Sequence, residues 1–148
     1  MTDEKSSSLP EEQRIAIANS VGVSAIRYAD LSQNPQTDVT FEWDKILSLE
    51  GNTAPFLMYS YARARGIQRK GGIECPTVND LAILDDIERS LVLLLLKFPV
   101  IFDLAQRSSK PNWLCDYLFE LSSTFNRFYF ANPVLTASED SVRDSRLA

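Results

Sequence analysis

Apolar side chains recur every three to four residues along two stretches of this chain: Leu81, Leu84, Ile87, Leu91 and Leu94/Leu95, then Leu114, Leu118, Leu121 and Phe125. That spacing lines one face of an α-helix and cannot line one face of a strand, whose side chains repeat every two residues. Helices striped in this way bury their stripes against one another, so a bundle is the architecture to expect. Only five glycines occur in 148 residues, and the runs between breaks are rich in Leu, Ala, Arg and Glu, which favour helix over sheet. The expected fold class is all-α.

Local signals divide the chain further. Ser8, Leu9, Pro10 and Glu11 have the S-x-x-E form of a capping box, predicting a helix that fades near Gly22. A second short helix is predicted over Val23–Leu31, with Asn34-Pro35 as the stop. Val39, Thr40 and Phe41 read as a brief extended segment, and Trp43–Leu49 as a short helix with Ile46, Leu47 and Leu49 inward. Trp43 and Trp113 read as packing residues. Pro55 suits the first turn of a long helix running to about Lys70. Residues 71–78 follow as a linker, and Asn79 or Asp80 is placed to cap the next helix, to about Lys97. The Phe98-Pro99 step predicts a turn into a separate helix ending near Gln106. Pro111 opens another, to about Ala131, ended by Asn132-Pro133. A last helix begins at Ser138; Val142, Leu147 and Ala148 start a periodicity with no C-cap, so it reads as truncated.

Charge is unevenly spread. The net value of −5 speaks against nucleic acid at first sight. Residues 51–70, however, carry 4 basic and no acidic side chains, against 4 and 9 in residues 1–50 and 7 and 11 in residues 71–148. A local cationic patch is what binds, whatever the total. Arg63, Arg65, Arg69 and Lys70 make up that patch, with Phe56, Tyr59 and Tyr61 interleaved. Cations meet phosphates and flat rings take unstacked bases, so the stretch has the chemistry of an RNA-facing surface. The bland alternative is a solvated or salt-bridged helix facing the acidic segments, Asp85, Asp86 and Glu88 included. Tyr59 and Tyr61 cannot face one way, so one is expected in the core and the other partly exposed. Arg63 and Arg65 likewise lie on different faces, while Arg65 and Arg69 share one.

Other chemistries are excluded. Cys75 and Cys115 are far apart and no histidine is present, which argues against a zinc site and removes Cys/His and Ser/His catalysis. Both cysteines read as reduced thiols of a cytoplasmic protein. Leu91–Leu96 falls far short of the roughly 20 apolar residues needed to cross a bilayer, so no membrane is expected. MTDEKSSSLP is too acidic for a signal peptide.

Several strings resemble the arginyl-tRNA synthetase family in order and spacing. VGVSAIRYADLSQN at Val21–Asn34 is similar to its V-G-[IV]-x-A-[IV]-[KR]-Y-A-D-L-S. FEWDKILSLEGNTAPFLMYSYARARGIQRK at Phe41–Lys70 resembles F-x-W-D-x-[ML]-L-x-x-x-G-N-T-A-P-[YF]-x-x-Y-x-[YH]-A-R-x-x-S-I. LLLLKFP at Leu93–Pro99, YLFELSSTFNRFY at Tyr117–Tyr129 and PVL at Pro133–Leu135 extend the likeness more loosely.

The resemblance implies a bundle of the class I synthetase anticodon-binding type with its final helix truncated. It also implies a division into residues 1–54, the end of a catalytic region, and residues 55–148, an incomplete anticodon-binding domain. The family's H-I-G-H-type and K-M-S-K-S-type strings are missing. No catalytic residue and no cofactor is therefore expected here; ATP with magnesium belongs to the parent enzyme. Expected partners are the tRNA for arginine and an upstream catalytic domain, and no DNA. Tyr129 falls at the family's F-Y position and stands at a helix end, so it is a candidate for base contact, with Asn126 and Arg127 as candidates for base-edge or phosphate contacts. Phe125 and Phe128 are expected to pack inward. The competing reading is a non-enzymatic helical protein-interaction module, which the leucine-rich helix and net acidity suit.

Overall fold

The computed structural model describes residues 9–38, 40–72, 83 and 85–147, and among these every regular element is a helix. In chain order they are α1 (Glu11–Leu31), α2 (Trp43–Ile46), α3 (Ala54–Gly71), α4 (Asp86–Ser108), α5 (Asn112–Ala131) and α6 (Asp140–Leu147). The all-α expectation holds. Ser8, Val39, Cys75, Asn79, Asp80, Leu81 and Leu84 lie outside the described residues, and with them the proposed capping box and most of the predicted linker.

Two predicted breaks are absent. The helix predicted to fade at Gly22 continues to Leu31 as one element. Glycine costs a helix only about 0.5–1 kcal/mol relative to alanine, too little to break one with tertiary support from α3. Similarly, α4 runs through Pro99 to Ser108. An internal proline removes the hydrogen bond to the carbonyl four residues back, a cost of about 3 kcal/mol or more. Packing against α5 offsets it: the Phe98 and Tyr117 rings lie 5.9 Å apart, and the Tyr117 hydroxyl donates to the Leu94 carbonyl at 3.0 Å.

Caps set the boundaries. Thr53 caps α3, its Oγ1 accepting from Phe56 N–H at 3.3 Å, with proline in the first turn as expected. At the far end Gly72 takes φ +69, a left-handed conformation that suits glycine and closes the helix. The described start of α4 is a full capping box: Asp85 accepts from the Ile87 and Glu88 amides, and Glu88 reaches back to the Asp85 amide. Asn132 ends α5 as predicted.

Helices α4 and α5 form the most extensive pair, joined by the short loop 109–111; α3 lies against both α1 and α5, and α6 against α3. Phe128, Val134 and Leu147 form the central cluster, flanked by Ile67, Ile87, Leu91 and Phe125. Phe125 and Phe128 thus pack as expected. Several inward expectations fail. The short helix stops at Ile46, and Leu47 and Leu49 are exposed; so are Trp43 and Trp113, and both Tyr59 and Tyr61. Trp43 does pack on Phe41, edge to face at 4.8 Å. Four helical residues were too few to bury two sides of α2, and Tyr59 finds its partners across the surface of α3 rather than beneath it.

Candidate functional site

Residues four and seven apart on a helix stand on one face, so α3 presents Tyr59, Arg63 and Lys70 in a row. Opposite them lies the C-terminal turn of α5 with Tyr129, then residues 133–136. Between these walls is a cleft of about 540 Å³, floored by Gly66 and Ile67 and lined by Tyr59, Arg63, Lys70, Tyr129 and Thr136.

Arg63 is the centre of this arrangement. Its Nη1 donates to Asn126 Oδ1 on α5, and its Nη2 to the Tyr59 hydroxyl at 3.0 Å. The guanidinium carbon lies 4.6 Å from the Tyr59 ring centroid, 4.8 Å from Tyr129 and 5.0 Å from Phe130. Three aromatic faces around one cation give cation–π attraction of about 0.5–1 kcal/mol each at exposed sites. Asn126 is itself oriented, its Nδ2 donating to Ser60 Oγ at 2.9 Å, and Ser60 in turn donates to the Phe56 carbonyl at 3.0 Å. No carboxylate pairs with Arg63, Arg65, Arg69 or Lys70 among the described residues. The salt-bridged form of the bland alternative is thus not seen among the described residues, while Arg65 and Arg69, exposed and outside the cleft, fit its solvated form. Two cations and two rings share one cleft, Phe130 adds a third ring against Arg63, and the charge of Arg63 is left without a carboxylate partner among the described residues.

The seven sequence candidates separate on the structure. Arg63, Lys70, Asn126 and Tyr129 come together. Arg65 and Arg69 are exposed and do not line the cleft; Arg65 donates to Gln68 at 2.8 Å. Arg127 donates to Thr124 at 3.2 Å and borders a different groove, with Ser90, Lys97 and Glu120. Two further participants are Tyr59 and Phe130. Tyr59 is one of the rings interleaved with the cations in sequence, and its spacing of four from Arg63 is the signal for their contact. Phe130, with 76% of its surface exposed, was not distinguished from its aromatic neighbours.

Elsewhere the chemistry is spare. Burial pushes the Cys115 thiol above its ordinary value, so it is an inert core side chain. Among the described residues no group of three His, Cys, Asp or Glu is placed to hold a metal ion, and no helix is long and apolar enough to cross a membrane.

The chain is similar to known proteins over most of its length. A model of the DALR anticodon binding domain matches residues 57–148. The arginine–tRNA ligase of Alteromonas mediterranea is 42% identical over 147 residues, covering 98% of this chain and 26% of that protein. That of Synechococcus elongatus is 48% identical over 134 residues, 89% of this chain and 23% of its own length. Among solved structures, Thermus thermophilus arginyl-tRNA synthetase superposes with a TM-score of 0.86 at 32% identity, over 98% of this chain and 25% of that one. The chain spans about a quarter of the length of these relatives.

Proposed function

The chain belongs to the DALR anticodon-binding domain family, and from that premise we propose that it is the tRNA-recognition part of an arginine–tRNA ligase. The observation that carries this reading is Arg63, a cation held among Tyr59, Tyr129 and Phe130 beside a cleft that Lys70 also lines. A single-stranded loop offers phosphates and splayed bases together, and recognition needs cations and flat faces at one place. On this reading Tyr129 and Tyr59 supply faces for one unstacked base. Lys70 and Arg63 meet the adjoining phosphates, and Asn126 fixes the guanidinium that does so. Arg65, Arg69 and Arg127 contribute through long-range attraction that salt screens.

Residues 1–54 are read as the end of a catalytic region and residues 55–148 as the anticodon-binding domain, in line with α3 beginning at Ala54 and the family match at 57. Activation of arginine with ATP and magnesium, and its transfer to tRNA, are the work of the longer protein in the cytoplasm; the residues described above recognise and position. The test is a titration of an arginine-accepting tRNA anticodon hairpin with the chain at several salt concentrations. Tyr129→Ala is expected to weaken binding by about 1–3 kcal/mol, the worth of one stacked base. Lys70→Met is expected to reduce the salt slope by about one phosphate contact. Absence of binding even at low salt, or indifference to both substitutions, overturns the assignment.

A further inference from the structure

One wall of the cleft, residues 133–136, belongs to no helix, yet it must hold its distance from α3 if a ring-sized ligand is to fit. We infer that Arg146, distant in sequence from the basic patch, is a positioning residue for that wall. The inference rests on the reading of the cleft just given. Arg146 reaches three elements with one guanidinium: Nε donates to Glu88 Oε1 at 2.7 Å, Nη1 to the Pro133 carbonyl at 2.8 Å, and Nη2 to Asn132 Oδ1 at 3.0 Å. Both charged side chains are nearly buried, 10% and 6% exposed. Glu88 is in turn anchored, because its other oxygen accepts the Asp85 amide in the capping box of α4. The wall is thereby tied through Arg146 to the start of the central hairpin.

The next residue completes the clasp. Leu147 is buried with Val134 and Phe128. It also lies so close to the end of α3 that a Cβ on Gly71 would come within 2.9 Å of its Cδ2. Residues 133–136 are thus gripped on their polar side by Arg146 and on their apolar side by Leu147. Arginine is required where a planar fork must serve a carboxylate, a carbonyl and an amide oxygen at once; a lysine ammonium keeps the charge but not the geometry. The three hydrogen bonds of Arg146 go to Glu88, Pro133 and Asn132 and none to α3, so its effect on the ligand passes through the loop.

The experiment compares Arg146→Lys and Arg146→Met with Leu94→Ala, a core truncation in α4 distant from the cleft, in the whole chain and well below melting. Hydrogen exchange of the amides of residues 134–136 is the first readout, affinity for the anticodon hairpin the second. Both Arg146 variants are expected to raise loop exchange about tenfold or more, by local opening, and to weaken hairpin binding about tenfold. Leu94→Ala should lower the melting temperature with neither effect. If Arg146→Met does not fold, Arg146→Lys decides. Unchanged loop exchange in Arg146→Lys, or equal losses in Leu94→Ala, overturns the inference. A parent chain that fails to bind the hairpin overturns the functional reading instead, while loop exchange still decides the clasp.

Discussion

Two residues show how much a single side chain's surroundings decide. Arg63 is held by two hydrogen bonds that need a fork and by rings that favour a delocalised cation. Lysine keeps the charge alone, so Arg63→Lys should leave the salt slope of RNA binding intact while affinity falls about fivefold to tenfold, a loss of about 1 kcal/mol. A loss of slope with no loss at high salt would mean that Arg63 acts only as a point charge. Asp85 is the second case. The Glu88 backbone N–H holds its carboxyl below the ordinary aspartate range. Because the folded value is depressed, the stabilisation is complete above the unfolded value near 3.8 and disappears as pH falls through the folded value. Asp85→Ala should cost about 1 kcal/mol at neutral pH, and the cost should shrink in urea titrations below pH 4, about where the unfolded carboxyl protonates. Of these contacts, the sequence made the cationic and aromatic composition legible. It did not show that Asn126, 63 residues from Arg63, would take its Nη1, since that depends on how α3 and α5 meet.

At the scale of the helix, periodicity was a better guide than punctuation. The start of α3 around Pro55 was readable because cap chemistry and burial agree there. The stripe Leu114, Leu118, Leu121 and Phe125 located α5 but not its buried face, which is Cys115, Tyr117, Thr124 and Phe128, while Leu118 is exposed. Gly22 and Pro99 misled because their local penalties are small against the packing that α1 and α4 gain by continuing. If Gly22 is only tolerated, alanine should improve on it. A Cβ there would meet nothing within 4 Å, so Gly22→Ala should raise stability by about 0.5–1 kcal/mol. Gly66 on α3 is equally open to a Cβ, but it lines the cleft. Gly66→Ala should therefore stabilise the fold by a similar amount while weakening hairpin binding. Thermal melts and hairpin titrations of the two variants separate a glycine that is merely present from one that leaves room. Equal binding by both variants would show that the floor of the cleft is not touched.

Across the whole molecule, the first 54 residues and the remainder are joined at a point no periodicity announces. Tyr28 on α1 directs one hydroxyl proton at two acceptors, Asn52 Oδ1 at 2.6 Å and, 87 residues away, the Cys115 carbonyl at 2.9 Å. Asn52 Nδ2 donates to Asp116 Oδ1 at 3.3 Å, which settles the orientation of its amide. Burial pushes the Tyr28 phenol up, so it remains a donor throughout the working pH range. The start of α5 is thus fixed to α1 and to the turn before α3, while its far end carries Asn126 and Tyr129. A helix held at one end and bearing ligands at the other transmits position through its own stiffness, which gives the joint a mechanical meaning. Trp43 in the first segment and Trp113 in α5 are natural probes of the two sides. In single-tryptophan variants, Trp43→Phe and Trp113→Phe, urea unfolding should be coincident, as a cooperative unit requires. Adding Tyr28→Phe with Asn52→Ala removes hydrogen bonds worth about 1 kcal/mol each. The Trp43 signal should then move to lower urea than the Trp113 signal. Transitions already separate before the joint is cut, or still coincident after it, would show that the two segments are coupled by something other than Tyr28 and Asn52.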